Sequence, residues 1–518
     1  MQIVDNKAVI FKTRSPTKYS IIPKSTIVGE DNGVYEVAVY FGLDEMRVLR
    51  NLGVKKAPSP IVARYDWPGR YKPFAHQIDT SAFLTLHRRA FVFNDPGTGK
   101  TLSALWAADY LMKLGKVRRV LILCPLSIMH EAWMSGIAKS IIHRSAIVAH
   151  HAQSSRRIEM VQGNYEFVVT NYEGLNLISK EVVNDGRFDL VIVDEANAYK
   201  NVSTKRWKSL NSIIGPETLL WMMTGTPASQ SPQDAYGLAR LVNPAKVPKF
   251  STAWRDKVMQ KLTMFKWVPR KGSSDLVFEA LQPAIRYTKE ECTDLPPVLT
   301  ETRDVPLTPQ QAKYYRILKE QMLVSTAGET ITAINAAASV NKLLQISAGA
   351  AYTDLHEVVE FDCTPRMNVL LEVLEETSRK VIIFVPYRHS IDAISAFLEK
   401  NNIAAGVVHG DVSVGKRSRL FKQFQETPEP RVMVIQPQAA SHGVTLTAAD
   451  TVIFYGPVMS VETYVQCIAR SDRIGQNSDK VTVIHLQGSD IERKMFKRLE
   501  DRVDDHNLLL KLYEDVVK

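Results

Sequence analysis

Short, continuous apolar runs separated by stretches with helical spacing dominate the chain from residue 71 onward. Ala90–Phe93, Val120–Cys124, Ala146–Ala149, Phe167–Val169, Leu190–Val193 and Leu219–Met223 form a first series. Several are apolar at every position rather than at every second one, the pattern of strands buried on both faces of a parallel sheet. Helical stretches lie between them, so the series predicts a doubly wound α/β domain. A second series, Lys380–Val385, Ala404–His409, Val432–Ile435, Thr451–Tyr455 and Val481–Leu486, predicts another α/β domain of similar size.

Between the two series the alternation breaks. Residues 310–322 and 334–346 read as helices, and 246–345 is expected to be a helical insertion and linker. Before residue 66, Val34–Phe41 reads as a strand rich in Val and Tyr. Leu43, Met46, Leu49 and Leu52 then recur at helical spacing, with Gly53 as a C-cap. Pro58, Pro60, Pro68 and Gly69 suggest a linker. The expected organisation is a small N-terminal α+β module and linker over 1–66, a first α/β domain over 67–245, the helical segment over 246–345, a second α/β domain over 346–490 and a charged brace helix over 491–518.

The chain has 518 residues, and at roughly 150 per domain this suggests about three units. Hydrophobic residues make up 45% and charged residues 23%, which suits globular cores and not a disordered chain. A net charge of +10 favours a polyanionic partner. Cys124, Cys292, Cys363 and Cys467 are scattered without a C-x-x-C pair, so neither a disulfide framework nor a zinc site is implied. The first residues lack a basic and apolar leader, and no apolar run approaches the roughly 20 residues a membrane helix needs. A soluble, cytoplasmic protein without a membrane partner is expected.

In open α/β sheets chemistry gathers at the carboxyl ends of the strands. Behind the first strand lies Asn94-Asp95-Pro96-Gly97-Thr98-Gly99-Lys100-Thr101, followed by a helical pattern from Leu102 to Leu114. Glycines let backbone N–H groups curl around an oxyanion, and the helix start adds its positive dipole end. Lys100 then reaches the outer phosphates and Thr101 offers its hydroxyl to Mg²⁺. The consensus wants glycine where Asn94 stands, and asparagine tolerates a left-handed backbone better than most residues. The same segment also suits an ordinary glycine-containing turn before a helix. Val191-Ile192-Val193-Asp194-Glu195 ends an apolar strand in two acids. Asp194 reads as a Mg²⁺ holder and Glu195 as the group that orients and deprotonates water, given the Lys-Thr loop upstream. Without that loop, Asp194 would read as a helix cap.

Gln466-Cys467-Ile468-Ala469-Arg470-Ser471-Asp472-Arg473 lies in the second series. Arg470 and Arg473 are three apart and would share one face of a helix. They fit either arginine fingers aimed at a γ-phosphate or a solvated basic face, and spacing alone does not choose. Gln77, with Tyr71 or Phe74 nearby, offers a bidentate amide to an adenine edge, or else belongs to a loop packed on a core.

In order along the chain, these segments resemble superfamily-two helicases, and most closely the Swi/Snf-like branch of ATP-dependent DNA translocases. The resemblance spans roughly 71–490. It rests on Asp95-Pro96-Gly97-Thr98-Gly99-Lys100-Thr101, Asp194-Glu195-Ala196, Thr224-Gly225-Thr226-Pro227, His409-Gly410-Asp411, Leu446-Thr447-Ala448-Ala449-Asp450 and Arg473-Ile474-Gly475-Gln476. It implies two tandem RecA-like lobes with ATP and Mg²⁺ in the cleft and sequence-nonspecific duplex or branched DNA as partner. By matching positions, Gln77 resembles the adenine reader, and Pro96, Gly97, Thr98, Gly99, Lys100 and Thr101 the phosphate loop. Asp194 and Glu195 resemble the Mg²⁺ and water-activating acids, and Gln466, Arg470 and Arg473 the γ-phosphate sensors. Thr224 and Thr226 resemble coupling residues, while Pro125, Thr170, Asn171 and Gly443 fall in motifs that face the nucleic-acid backbone.

Three departures stand out. Asn197 replaces the usual His after Asp-Glu-Ala, Ala440-Ser441 stand where paired glycines are usual, and Ser471-Asp472 replace Ala-His. No histone-reading segment is apparent, and the short front module with Trp67-Pro68-Gly69 is similar to compact annealing helicases or phage proteins. The expectation is a monomeric DNA-dependent ATPase moving on DNA in replication, recombination or repair, in a prokaryotic or phage-infected cell. Its alternatives are a strand-separating or branch-migrating helicase and a non-catalytic nucleic-acid scaffold.

Overall fold

The computed structural model describes residues 1–518 except 226, 229–230, 263–266, 293–295, 329–332, 353–357, 378, 440–443, 474, 502 and 504–518. Two parallel sheets organise it. The first has seven strands in the order Ala284–Ile285, Arg89–Val92, Leu219–Met223, Phe188–Asp194, Arg119–Leu123, Phe167–Thr170 and Ala146–Val148. Side chains alternate across it and are buried on both sides. Val120 and Ile122 join one core with Leu105 and Trp106, whereas Leu121 and Leu123 join the opposite core with Tyr172 and Leu175. This two-sided burial is why the sequence shows unbroken apolar runs.

The second sheet has six strands, Val298–Asp304, Val481–Gln487, Ala449–Phe454, Lys380–Phe384, Val432–Ile435 and Ala405–Val408, again all parallel. Ile382 and Phe384 face one core, Val381 and Ile383 the other. All eleven strands expected in the two apolar series are present, within a few residues at each end.

The segment 246–345 departs from a purely helical insertion. It holds the helices Pro309–Gly328 and Ala333–Ala348, but Ala284–Ile285 adds an edge strand to the first sheet and Val298–Asp304 one to the second. The first strand is only two residues long, and the second reads Val-Leu-Thr-Glu-Thr-Arg-Asp on an exposed edge, so neither shows an apolar run. At the far end, residues 490–501 and Val503 are helical, and Phe496, Leu499 and Val503 pack on the second lobe's core; residues 502 and 504–518 of the expected brace lie outside the described residues.

The front module is an antiparallel sheet of Gln2–Val4, Ala8–Thr13, Val34–Tyr40 and Ser25–Asp31, followed by the helix Leu43–Asn51. The Pro-rich stretch behind it is not a free linker: Ala57, Ser59 and Ile61 are buried. Val9, Phe11, Val37 and Phe41 share one continuous core with Leu105 and Trp106 of the first lobe. The Tyr65 hydroxyl donates to Asp109 Oδ2 at 2.6 Å, Arg47 Nη2 to Thr85 O at 2.7 Å, and Trp106 Nε1 to Pro68 O at 3.1 Å. No helix among the described residues is long and apolar enough to cross a membrane.

His485, fully buried in the second sheet, stacks on Phe496 at 4.1 Å and has its Nε2 2.9 Å from the Tyr464 hydroxyl. Burial lowers its pKa to about 4. The folded state thus prefers neutral imidazole; the associated stability is present above the ordinary value near 6.5 and is lost as pH falls from there toward 4. Denaturation between pH 7 and pH 4 should lose up to about 3 kcal/mol from this residue, and His485→Gln should flatten that part of the profile. An unaltered slope in the variant would refute the assignment.

Candidate active site

The phosphate loop has its shape from its glycines. Gly97 has φ +91° and Gly99 φ +83°, conformations that burden any residue with a Cβ. A Cβ on Gly99 would also fall 2.1 Å from Gln77 Nε2. The helix Lys100–Lys113 starts directly behind, so its first N–H groups point into the loop. Lys100 Nζ folds over the loop and donates to Asn94 O at 2.7 Å and Asp95 O at 3.1 Å. Thr101 occupies the next position at the helix start, half-buried.

Asn94 is not left-handed. It serves through its side chain, whose amide donates to Thr80 Oγ1 at 2.9 Å while its oxygen accepts the Tyr287 N–H at 3.1 Å. Asp95 is held likewise. Arg286 Nη1 donates to Asp95 Oδ1 at 2.9 Å, and the Lys289 backbone N–H donates to Oδ2 at 3.1 Å. The short edge strand Ala284–Ile285 therefore places a clamp on the loop, a role that no local residue pattern marks.

Gln77 is buried against the same loop, where its Oε1 accepts the Phe74 N–H at 3.0 Å and its Nε2 donates to Thr98 O at 3.2 Å. His76 Nε2 also contacts Thr98 O, at 2.8 Å. The amide expected to read adenine thus spends its acceptor on the start of helix Ala75–Leu86 and one donor on the loop. Phe74, whose N–H meets Gln77, and Tyr71 are both exposed.

Opposite the loop, strand Phe188–Asp194 delivers the two acids. Asp194 Oδ2 accepts the Trp133 indole N–H at 3.1 Å and Oδ1 accepts the Glu195 N–H at 3.0 Å. Glu195 itself sits at φ 49°, ψ 56°, a strained conformation for a residue with a side chain, and such strain concentrates at functional sites. The Tyr172 hydroxyl braces this turn by donating to Asp194 O at 2.6 Å. Burial and then Asp194 push the Glu195 carboxyl up to about 8. Burial raises Asp194 as well, with Lys100 opposing, while the Lys100 ammonium is lowered by burial against the pull of Glu195, Asp194 and Asp95.

The second lobe closes the site. Arg470 and Arg473 do not share a helix face, because helix Val461–Ile468 ends before them; Ala469 caps it and both arginines lie in the following turn. The turn still aims them together, with Arg470 Nη1 donating to Val444 O at 3.2 Å and Arg473 Nη1 to the same oxygen at 3.1 Å. A Cβ on Gly97 would lie 3.1 Å from Arg473 Cβ and 3.4 Å from its Nε, so the second lobe's arginine rests on the first lobe's phosphate loop. Arg470 lies close enough to Glu195 to lower that carboxyl's pKa. Burial, then Arg470, lowers Arg473 to about 10. Gln466 is buried in the preceding helix, and its carbonyl accepts Arg470 Nε at 2.9 Å.

The residues expected near nucleic acid are less uniform. Pro125 starts the turn that leads to Trp133. Thr170 is fully buried with its hydroxyl donating to Ala149 O at 3.0 Å, so it supports the site rather than facing a ligand. Asn171 opens helix Tyr172–Asp185, and its Oδ1 accepts from Arg157 Nη1 at 3.5 Å. Thr224 is buried at the end of the strand next to the loop, its N–H donating to Val92 O at 3.0 Å. Thr226 and Gly443 lie outside the described residues. Sequence reasoning missed Trp133, Tyr172 and Arg286. Tyr172 directly follows Thr170-Asn171, whereas Trp133 sits in a single π-helical turn, Met129–Met134, that no local pattern announces.

A cation suits this arrangement. Asp194 and Glu195 are crowded and desolvated together, and among the described residues Asp194 accepts one N–H on each oxygen, leaving lone pairs to spare. The phosphate loop, Lys100, Arg470 and Arg473 form a positive lining around them.

The chain matches two known family models. The family model described as SNF2-related domain matches residues 76–349, and that described as helicase conserved C-terminal domain matches 365–475. The Drosophila melanogaster SWI/SNF-related matrix-associated actin-dependent regulator of chromatin subfamily A-like protein 1 is 24% identical over 428 residues, covering 80% of this chain and 53% of that protein. The human DNA annealing helicase and endonuclease ZRANB3 is 25% identical over 424 residues, covering 79% of this chain and 38% of that protein. The chain thus spans about half, or less, of the length of these curated relatives. Among solved structures, the Sulfolobus solfataricus SWI2/SNF2 ATPase core in complex with dsDNA is similar at 22% identity and a TM-score of 0.42, covering 83% of this chain and 91% of that one.

Proposed function

The chain belongs to the SNF2-related family, and from that premise we propose that it is a DNA-dependent ATPase that moves along duplex or branched DNA, in the service of replication, recombination or repair. The observation that carries this reading is the seating of Arg473 on the Gly97 loop with Arg470 within electrostatic reach of Glu195, which unites groups from both lobes around one position. Lys100 and the loop N–H groups take the ATP phosphates. Thr101 and Asp194 would hold Mg²⁺, which would supply neutralisation of the phosphate charge. Glu195 takes the proton of the attacking water. Arg470 and Arg473 offset the charge that builds on the transferred phosphoryl group.

Because the two arginines belong to one lobe and the acids to the other, turnover requires the lobes to be together. Alternate grip by the lobes on the phosphodiester backbone converts turnover into movement. Backbone contacts carry no sequence information, so binding is nonspecific and weakens steeply with salt, in keeping with the +10 net charge. Phosphate release measured with single-stranded, duplex, forked and four-way DNA tests the reading. Stimulation by duplex or junction DNA that declines with salt is expected; the absence of stimulation by any of them would overturn it. Displaced single strands in the same reactions would favour the strand-separating alternative.

A further inference from the structure

Two of the three positions where the chain departs from its family's pattern meet partners across the cleft. Asp472 lies between Arg470 and Arg473, and its carboxylate oxygen Oδ2 accepts Lys289 Nζ at 2.7 Å while its main-chain oxygen accepts the same ammonium at 2.5 Å. Both side chains are largely buried, at 13% and 12% exposure, so the contact is sheltered from the salt screening that weakens surface pairs. Asn197, directly behind Asp194-Glu195-Ala196, hydrogen-bonds the carboxylate of Glu462 at the start of the second-lobe helix Val461–Ile468.

The first of these contacts completes a ring. The Lys289 backbone N–H holds Asp95, Asp95 begins the phosphate loop, Gly97 in that loop underlies Arg473, and Arg473 adjoins Asp472, which returns to Lys289. We propose that Lys289 and Asp472 are positioning residues: their ion pair latches the lobes together and sets Arg473 against the phosphate loop before any nucleotide arrives. Asn197 and Glu462 hold the other side of the same cleft. The proposal rests on the ATPase reading for its kinetic consequence but not for its structural one. ATP then meets a site whose two halves are already assembled, and the fraction of molecules competent to bind is high. Without the latch that fraction falls, and the apparent affinity falls with it.

The test uses the full chain with one fluorophore on each lobe, far from the cleft, and reads the inter-lobe distance without nucleotide or DNA. Lys289→Met and, as a milder change, Asp472→Asn should lengthen that distance and raise the KM for ATP by about tenfold, with kcat within about twofold, because the arginines still arrive once ATP closes the lobes. The exchanged pair Lys289→Asp with Asp472→Lys should recover both the distance and the KM. Unchanged distances in both single variants would overturn the latch, as would failure of the exchanged pair to recover either quantity. A wild-type chain without ATP turnover whose lobes nevertheless part in Lys289→Met would retain the latch and sink the ATPase reading instead.

Discussion

Glu195→Gln is expected to stop ATP turnover while leaving ATP binding in place. The amide keeps the size and the hydrogen-bonding reach of the carboxylate but cannot take a proton, and losing a positioned base typically costs about 10²–10⁴ in rate. The carboxyl is held under strain at φ 49° and pushed up to about 8 by burial and by Asp194. A group raised in this way contributes stability that is present below its ordinary value near 4.5 and is lost as pH rises through about 8. At neutral pH the folded state must keep this carboxyl largely protonated while the unfolded chain ionises it freely, which burdens the fold, and the glutamine variant should melt at a temperature equal to or above wild type. Loss of phosphate release with retained nucleotide binding and an undiminished melting temperature separates a missing base from a damaged fold. Lys100→Ala should also lose turnover, but together with ATP affinity. Rapid hydrolysis by the glutamine variant would remove Glu195 from its assigned role.

The second large effect concerns the arginines. Arg470→Ala and Arg473→Ala should each slow turnover by about 10³–10⁵, the range typical of a cation that acts on the transferred phosphoryl group. ATP affinity should change far less, because the phosphate loop and Lys100 are intact and the Lys289–Asp472 pair still holds the lobes together. Both guanidiniums also tie down Val444 O, so alanine removes an anchor of the turn as well as a charge. Arg470→Lys and Arg473→Lys resolve this, since lysine keeps the charge and loses the planar fork. Slow turnover in the lysine variants with normal melting assigns the defect to geometry at the phosphate. Wild-type rates in both alanine variants would return these residues to the role of a basic face.

Much of this architecture is legible in the sequence because each lobe's sheet is buried on two sides. That burial demands apolar residues at consecutive positions, as at Val120 to Leu123 and Val381 to Phe384, and leaves an unmistakable trace. The phosphate loop and the Asp194-Glu195 strand end are legible for a different reason: backbone geometry and charge at strand ends admit few residue types. What stayed hidden depends on contacts between distant segments. Arg286 holds Asp95 across 191 positions, and Lys289 meets Asp472 across 183, with nothing in their neighbours to mark them. Edge strands such as Val298–Asp304 expose most of their residues and so lack an apolar run. Thr170 looked like a residue turned outward, but its hydroxyl completes an internal bond. The arginine spacing suggested a helix, whereas the helix stops at Ile468 and a turn does the aiming.

The merging of the front module's core with that of the first lobe has a mechanical consequence. Val9, Phe11 and Phe41 are embedded in the same apolar mass as Leu105 and Trp106, and the Tyr65–Asp109 bond fastens the junction. In the proposed cycle the module therefore travels with the first lobe as a rigid outrigger. A probe fixed to its outer strand Ser25–Asp31 would report the proposed movement of that lobe at full amplitude.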